Sequence, residues 1–170
     1  MISHTATRDW DPGAYARFHD LRLRPGLDLL NTIGPFVQGD IVDLGCGNGA
    51  LSDALHLRAA GRSRVGIDTS PAMLAQARDT GHYDRLDEED AALWSPSTSV
   101  AVIFSNAALH WVGSHEQFMP RLATFLAPGG TLAVQMPYQN KAPSHRVWLT
   151  LAQAMFPGRV EKMGTPGIMA

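Results

Sequence analysis

Short apolar runs alternate along the chain with longer segments whose apolar residues recur every three or four positions. The runs are Asp40–Leu44, Arg64–Asp68, Ser99–Phe104 and Thr131–Gln135, each read as a strand. Ser99-Val-Ala-Val-Ile-Phe104 is apolar almost throughout, the mark of a strand covered on both faces. The longer segments predict helices. Over Ala50–Ala60, Leu51, Ala54, Leu55 and Leu57 form an inner face and Gly61 lies just past the end. Ser70 suits an N-cap and Pro71 a first helical position, with Met73, Leu74 and Ala77 as the apolar side. Two further helices are expected over 114–126 and 144–156. Ahead of the first strand, Asp11 to Ile33 reads as helical through Tyr15, Phe18 and Leu21, with a break or restart at Pro25. Tyr83 to Asp90 is acidic and poorly patterned, and is expected to hold a third strand.

Strands alternating with helices imply βαβ units, whose right-handed crossovers place helices on both faces of a parallel sheet. The expected fold is α/β: a three-layer Rossmann-like sandwich around a mostly parallel sheet. Such sheets bind ligands beyond the C-terminal ends of the strands, near the point where the strand order reverses. The residues to weigh are therefore 45–49, 68–70, the neighbourhood of Asp90, 105–111 and 135–138.

Composition narrows the chemistry. The 170 residues carry a formal charge of −2 and are 45% hydrophobic, which excludes the basic footprint of a nucleic-acid binder and the signature of disorder. A lone cysteine, Cys46, builds neither a disulfide nor a thiolate metal site, and the seven histidines lack metal-ligand spacing. No apolar run is long enough to span a bilayer, and the first ten residues lack the apolar core of a signal peptide. A cytoplasmic protein with no nucleic-acid, membrane or metal partner is expected.

The loop Asp43-Leu-Gly-Cys-Gly-Asn-Gly49 places three glycines in five residues between a strand and a helix. Glycines let the chain turn without a Cβ and let a ligand approach the backbone, and the helix start offers free N–H groups. Gly45, Gly47 and Ala50 formally satisfy G-x-G-x-x-A, with Asp68 at a ribose-binding distance, so a nicotinamide cofactor remains open from this loop alone. Two features favour another ligand. Asp43 is poorly placed beside a pyrophosphate but well placed for an ammonium group. Glu89-Asp90, near the end of the third strand, suits an exocyclic adenine amine. A ligand with an adenine, a ribose and an amino acid but no phosphate fits better, and S-adenosylmethionine is one.

Asp43–Gly49, Gly66-Ile-Asp68, Phe104-Ser-Asn-Ala-Ala-Leu-His-Trp111 and Leu126-Ala-Pro-Gly-Gly-Thr-Leu132 together resemble the ordered motifs of class I S-adenosylmethionine-dependent methyltransferases. Trp10-Asp-Pro-Gly-Ala-Tyr15 with Arg22-Leu-Arg-Pro25, Ile67–Leu74, and Ala133–Pro137 with Pro143-Ser-His145 extend the likeness to the branch that esterifies trans-aconitate. The resemblance covers roughly residues 8 to 150. It implies that Gly45, Gly47 and Gly49 line the methionine end of the cofactor, with Asp43 organising the loop or facing the ammonium. It implies that Asp68, with Thr69, holds the ribose, that Asp90 and the Ala91 backbone meet the adenine, and that Asn106 lies beside the sulfonium. Trp10 and Tyr15 would cover the site, and His110 and Trp111 would touch a small carboxylic acid substrate. Arg22, Arg24, His145 and Arg146 are further candidates for its carboxylates. No catalytic base is expected, because a carboxylate acceptor is already ionised at neutral pH. Packing roles compete throughout: Asp68 as a helix-cap carboxylate, Asp90 as solvated surface, Arg22 and Arg24 as a solvated helix face.

One domain is expected, with a helical cap over 1–35, a cofactor-binding core over 36–140, and a helix and irregular tail over 141–170. The family's fold continues beyond the equivalent point, so its last strands are expected to be missing here. That leaves Thr131–Gln135 as an unpaired, apolar sheet edge through which copies can associate. A cofactor-binding remnant with an incomplete substrate site is the alternative to an active enzyme.

Overall fold

A computed structural model describes residues 19–59, 61–137 and 142–158. Six α-helices and strands precede the crossover: α1 (His19–Thr32), β1 (Ile41–Leu44), α2 (Ser52–Ala59), β2 (Arg64–Asp68), α3 (Pro71–Asp79) and β3 (Arg85–Glu88). After it come β4 (Val100–Asn106), a single 3-10 turn (Leu109–Trp111), α4 (His115–Ala123), β5 (Leu126–Gln135) and α5 (Pro143–Met155). The five strands form one sheet in the order β3-β2-β1-β4-β5, and every pairing is parallel. The order runs outward from β1 to β3 and then returns to β4. The reversal therefore opens a crevice between the C-terminal ends of β1 and β4.

Burial explains why the central strands lack alternation. All four residues of β1 are buried, as are the first six of β4. One apolar cluster, with Leu30, Ile33, Leu55 and Phe104, packs α1 and α2 against the sheet. A second, with Leu44, Ile67, Ile103, Phe118 and Leu122, packs α4 against it. The α3 prediction holds in detail: the Ser70 hydroxyl accepts from Met73 N (3.3 Å), and Met73, Leu74 and Ala77 are buried.

Four expectations need correction. The first helix runs through Pro25 without a break, because burial of Leu30 and Ile33 outweighs the one backbone donor that proline lacks. Leu57 is 74% exposed and does not belong to the inner face of α2, which is carried by Ser52, Leu55 and Ala59, with Leu51 buried just ahead of the helix. Hence Leu55→Ala should lower stability by about 2–5 kcal/mol and Leu57→Ala by less than about 0.5 kcal/mol, read from urea midpoints. The last strand, expected over Thr131–Gln135, starts at Leu126 and takes in residues 127–130. They belong to β5 across a register shift opposite Val100 and Val102, where Gly130 fits because a Cβ would stand 2.9 Å from Ala127 O and 3.0 Å from Ala101 O. Finally, the helix expected to reach Leu126 ends at Ala123 with Thr124 as its C-cap, because Leu126 already belongs to β5; its start agrees, with Ser114 as the N-cap at a left-handed φ of 53°.

Strand β5 forms one edge of the sheet, as expected, with Leu132, Val134 and Met136 only partly buried against the second cluster. Among the described residues no helix is long and apolar enough to cross a membrane.

Candidate functional site

A cavity of ≈ 450 Å³ lies at the reversal point, bounded by the glycine loop, the end of β2, the segment after β3 and the segment after β4. That volume is in the range of small-molecule sites. The walls follow from the local sequence. Gly45 has φ 80°, and Gly45 N and Cys46 N both donate to Ile67 O, at 2.8 and 2.9 Å. This folds the loop back across the end of β2. Ala107, opposite, takes φ 54° and donates its N–H to Gln135 O (2.8 Å). Alanine in the left-handed region is strained, and strain of this kind gathers at functional sites. A Cβ on Gly45 would collide with the Ala108 methyl, so the two loops touch at the floor of the cavity. Above them, a Cβ on Gly26 would stand 2.9 Å from Asn106 Cγ, so α1 crosses the end of β4 closely and brings Leu23 to the wall.

The charges are one-sided. Asp43, Asp68, Glu89 and Asp90 all line the cavity, and among the described residues no Lys, Arg or His does. Asp68 is doubly tied: Oδ2 accepts from Gly47 N (2.8 Å) and Oδ1 from Ser70 N (3.0 Å). It therefore pins the glycine loop and caps the approach to α3, while a carboxylate keeps about two further acceptor positions. Asp90 Oδ1 accepts from Ala92 N (2.8 Å), fixing the turn after β3. Asn106 Oδ1 is buried and has no hydrogen-bond partner among the described residues. Such an acceptor in a cavity wall is where a ligand's N–H or O–H would complete the set.

Asp43 is 4% exposed, and its Oδ2 accepts from the Tyr83 hydroxyl at 2.6 Å. Burial pushes the Asp43 carboxyl from 3.8 up to about 7; the Tyr83 bond pulls it down, and the nearby Asp68 charge adds to the rise. Burial also raises Tyr83 well above its ordinary range, and raises the Cys46 thiol out of reach of ionisation at neutral pH.

The structure thus brings Asp43, Gly45, Gly47, Asp68, Thr69, Asp90, Ala91, Asn106 and Trp111 to one cavity, joined by Glu89. It does not bring Gly49 there. A Cβ on Gly49 would stand 3.2 Å from both Ala77 Cα and Tyr83, so this glycine (φ 76°) serves the packing of the loop against α3. His110 is not part of the wall either: its ring packs tilted against Trp111 (4.8 Å, 41°), its Nδ1 is buried without a partner among the described residues, and burial lowers its pKa. Arg24 lies on the exposed face of α1 with Asp28 (3.7 Å), and Arg146 is exposed on α5. Trp10 and Tyr15 lie outside the described residues, and the side chains of Arg22 and His145 are outside them too. Tyr83 was not foreseen. Its signal was Gly66: a glycine inside a strand marks a close approach. A Cβ there would stand 2.6 Å from Leu86 Cδ2, 3.0 Å from Cys46 Sγ and 3.2 Å from the Tyr83 ring.

A wall whose described charged residues are all acidic disfavours a pyrophosphate and suits a cationic ligand, which weakens the case for a nicotinamide cofactor. Comparison with known proteins agrees. The methyltransferase domain family matches residues 42–134. The chain belongs to the S-adenosylmethionine-dependent methyltransferases. Among its relatives, it is 43% identical over 146 residues to the trans-aconitate 2-methyltransferase of Paracidovorax citrulli (strain AAC00-1), covering 85% of this chain and 56% of that protein. It is 42% identical over 144 residues to the protein of the same name in Klebsiella pneumoniae (strain 342), covering 85% and 57%. The chain thus spans little more than half the length of these methyltransferases. The fold matches the sugar N-methyltransferase KedS8 from Streptoalloteichus sp ATCC 53650 with a TM-score of 0.64 at 13% identity, over 84% of this chain and 60% of that one. It also matches an S-adenosylmethionine-dependent methyltransferase from Clostridium acetobutylicum ATCC 824 with a TM-score of 0.59 at 19% identity, over 78% and 60%. The cofactor of this methyltransferase family is S-adenosylmethionine.

Proposed function

We propose that the chain is the cofactor-binding part of an O-methyltransferase that esterifies a small carboxylic acid of the trans-aconitate type. The observation that carries the cofactor half is the cavity lined, among the described residues, by four carboxylates and no cation. The substrate half rests on the relatives named above. S-adenosylmethionine, when bound, supplies a methyl group on a sulfonium, which is already a good leaving group.

The residues then have three tasks. Asp68 accepts the ribose hydroxyls through the acceptor positions its two backbone bonds leave unused. Asp43 and the Asn106 carbonyl accept from the cationic amino-acid end, and Asp90 with the Ala91 backbone accepts from and donates to the adenine edge. Trp111, 62% exposed at the mouth, covers the acceptor and excludes water. No residue has to remove a proton from a carboxylate acceptor, so alignment is the main contribution, worth up to ~7–11 kcal/mol in favourable cases. None of the described cavity residues is cationic, so the cofactor's own charge attracts the acid.

The test is transfer of a labelled methyl group to trans-aconitate and a panel of other carboxylic acids. Base-labile methyl esters are expected. Tight binding of S-adenosylmethionine with no ester from any acid would overturn the substrate half alone and leave a cofactor-binding module. Failure to bind it would overturn both.

A further inference from the structure

Tyr83 stands outside the cavity wall, yet it makes the shortest bond to a cavity carboxylate, 2.6 Å to Asp43 Oδ2. Three features build this contact. Asp43 pairs in register with Gly66 on β2, and the space over the missing side chain at Gly66 is shared by Leu86, Cys46 and the Tyr83 ring. Tyr83 precedes β3, where Asp84 N donates to Arg64 O (2.9 Å), which fixes the backbone beside the ring. A Cβ on Gly49 would stand 3.2 Å from the same ring, closer than ordinary contact, so Tyr83 lies against the glycine loop as well as its carboxylate. The only charged or titratable groups acting on Asp43 among the described residues are Tyr83, Asp68 and Cys46; no cation neutralises it.

We propose that Tyr83 is a positioning residue for cofactor binding: from behind the wall its hydroxyl holds the buried Asp43 carboxyl in place beside the glycine loop and supports the ionised form that pairs with a cationic ligand. The proposal rests on the cofactor reading above. Its balance is simple. Below neutral pH the buried carboxyl is protonated; when the cation binds, the O–H bond breaks, the proton goes to solvent and the carboxylate pairs with the ligand's charge. Binding is therefore linked to proton release. The sign follows from the raised value of about 7: affinity is full above it and falls up to tenfold per pH unit below it. The hydroxyl of Tyr83 stabilises the ionised form, so its loss moves the midpoint upward.

The experiment is calorimetric titration of S-adenosylmethionine from pH 5.5 to 9 with the wild type, Tyr83→Phe and Asp43→Asn, together with melting curves of the ligand-free proteins over the same range. In the wild type, affinity should fall below pH 7 with about one proton released per cofactor bound. The ligand-free melting temperature should decline as pH rises through 7, because the neutral carboxyl is the form burial prefers. Tyr83→Phe should shift both midpoints upward by half a unit or more while keeping wild-type affinity at pH 9 within about threefold. Asp43→Asn should flatten both profiles. A Tyr83→Phe profile that superimposes on the wild type, or an Asp43→Asn protein that keeps the pH dependence, overturns the proposal. Absence of binding by the wild type at every pH instead overturns the cofactor reading.

Discussion

Gly45→Val is expected to raise the dissociation constant of S-adenosylhomocysteine more than 100-fold while leaving the far-ultraviolet signal of the sheet and helices in place. Two penalties combine. A β-branched residue at φ 80° sits in a region that L side chains avoid, at a cost of order 1–3 kcal/mol. Its Cβ also meets the Ala108 methyl, and neither side yields readily. Gly45 N is bonded to Ile67 O and Ala107 N to Gln135 O, so both loops are anchored to the ends of strands. The loops must part at the cavity floor, moving every donor beside the ligand. Gly47→Ala is the matched control. Its φ is 55°, but nothing lies within 4 Å of the new Cβ, so only the conformational penalty remains, about 1–2 kcal/mol. A Gly45→Val protein that binds within tenfold of the wild type would show that the two loops do not frame the ligand.

These glycines also mark how far the sequence could be read. The period change along the chain revealed alternating strands and helices, and the uninterrupted apolar run at 100–104 marked β4 as a strand covered on both faces. Most of the cavity wall followed, because the end of a parallel strand is a position readable from pattern alone. Three things were not readable. Gly47 and Gly49 look alike in sequence, yet one faces the cavity and the other packs on Ala77; only the three-dimensional approach of α3 separates them. The acidic segment before Asp90 gave little strand signal because β3 is an edge strand whose residues are half-buried or exposed. The partner of Asp43 came from forty residues away, and Gly66 hinted at a close approach without saying of what. Leu57 failed for a related reason: eight residues make barely two turns, too short for periodicity to fix the buried stripe.

Asp68→Ala carries the second large effect, and the reason lies in how many bonds one carboxylate makes. It holds Gly47 N and Ser70 N with one oxygen each, tying the glycine loop to the start of α3. The proposed ribose bonds use the remaining acceptor positions. Alanine removes all of them, and loss of two charge-assisted bonds should weaken cofactor binding by ~2–4 kcal/mol, about 30- to 1,000-fold. Asn is not a mild substitute: its amide nitrogen would face Gly47 N or Ser70 N, donor against donor, so Asp68→Asn should lose nearly as much. A loop-fixing role alone would also weaken binding, so the decisive measurement pairs the mutation with the ligand. Wild-type protein should bind adenosine much more tightly than 2′-deoxyadenosine or 3′-deoxyadenosine. In Asp68→Ala that preference should vanish, since the hydroxyls no longer have their acceptor, so the coupling energy between carboxylate and hydroxyls equals the full wild-type preference. If Asp68→Ala keeps the full preference, the carboxylate serves only the loop and α3, and the ribose is held elsewhere.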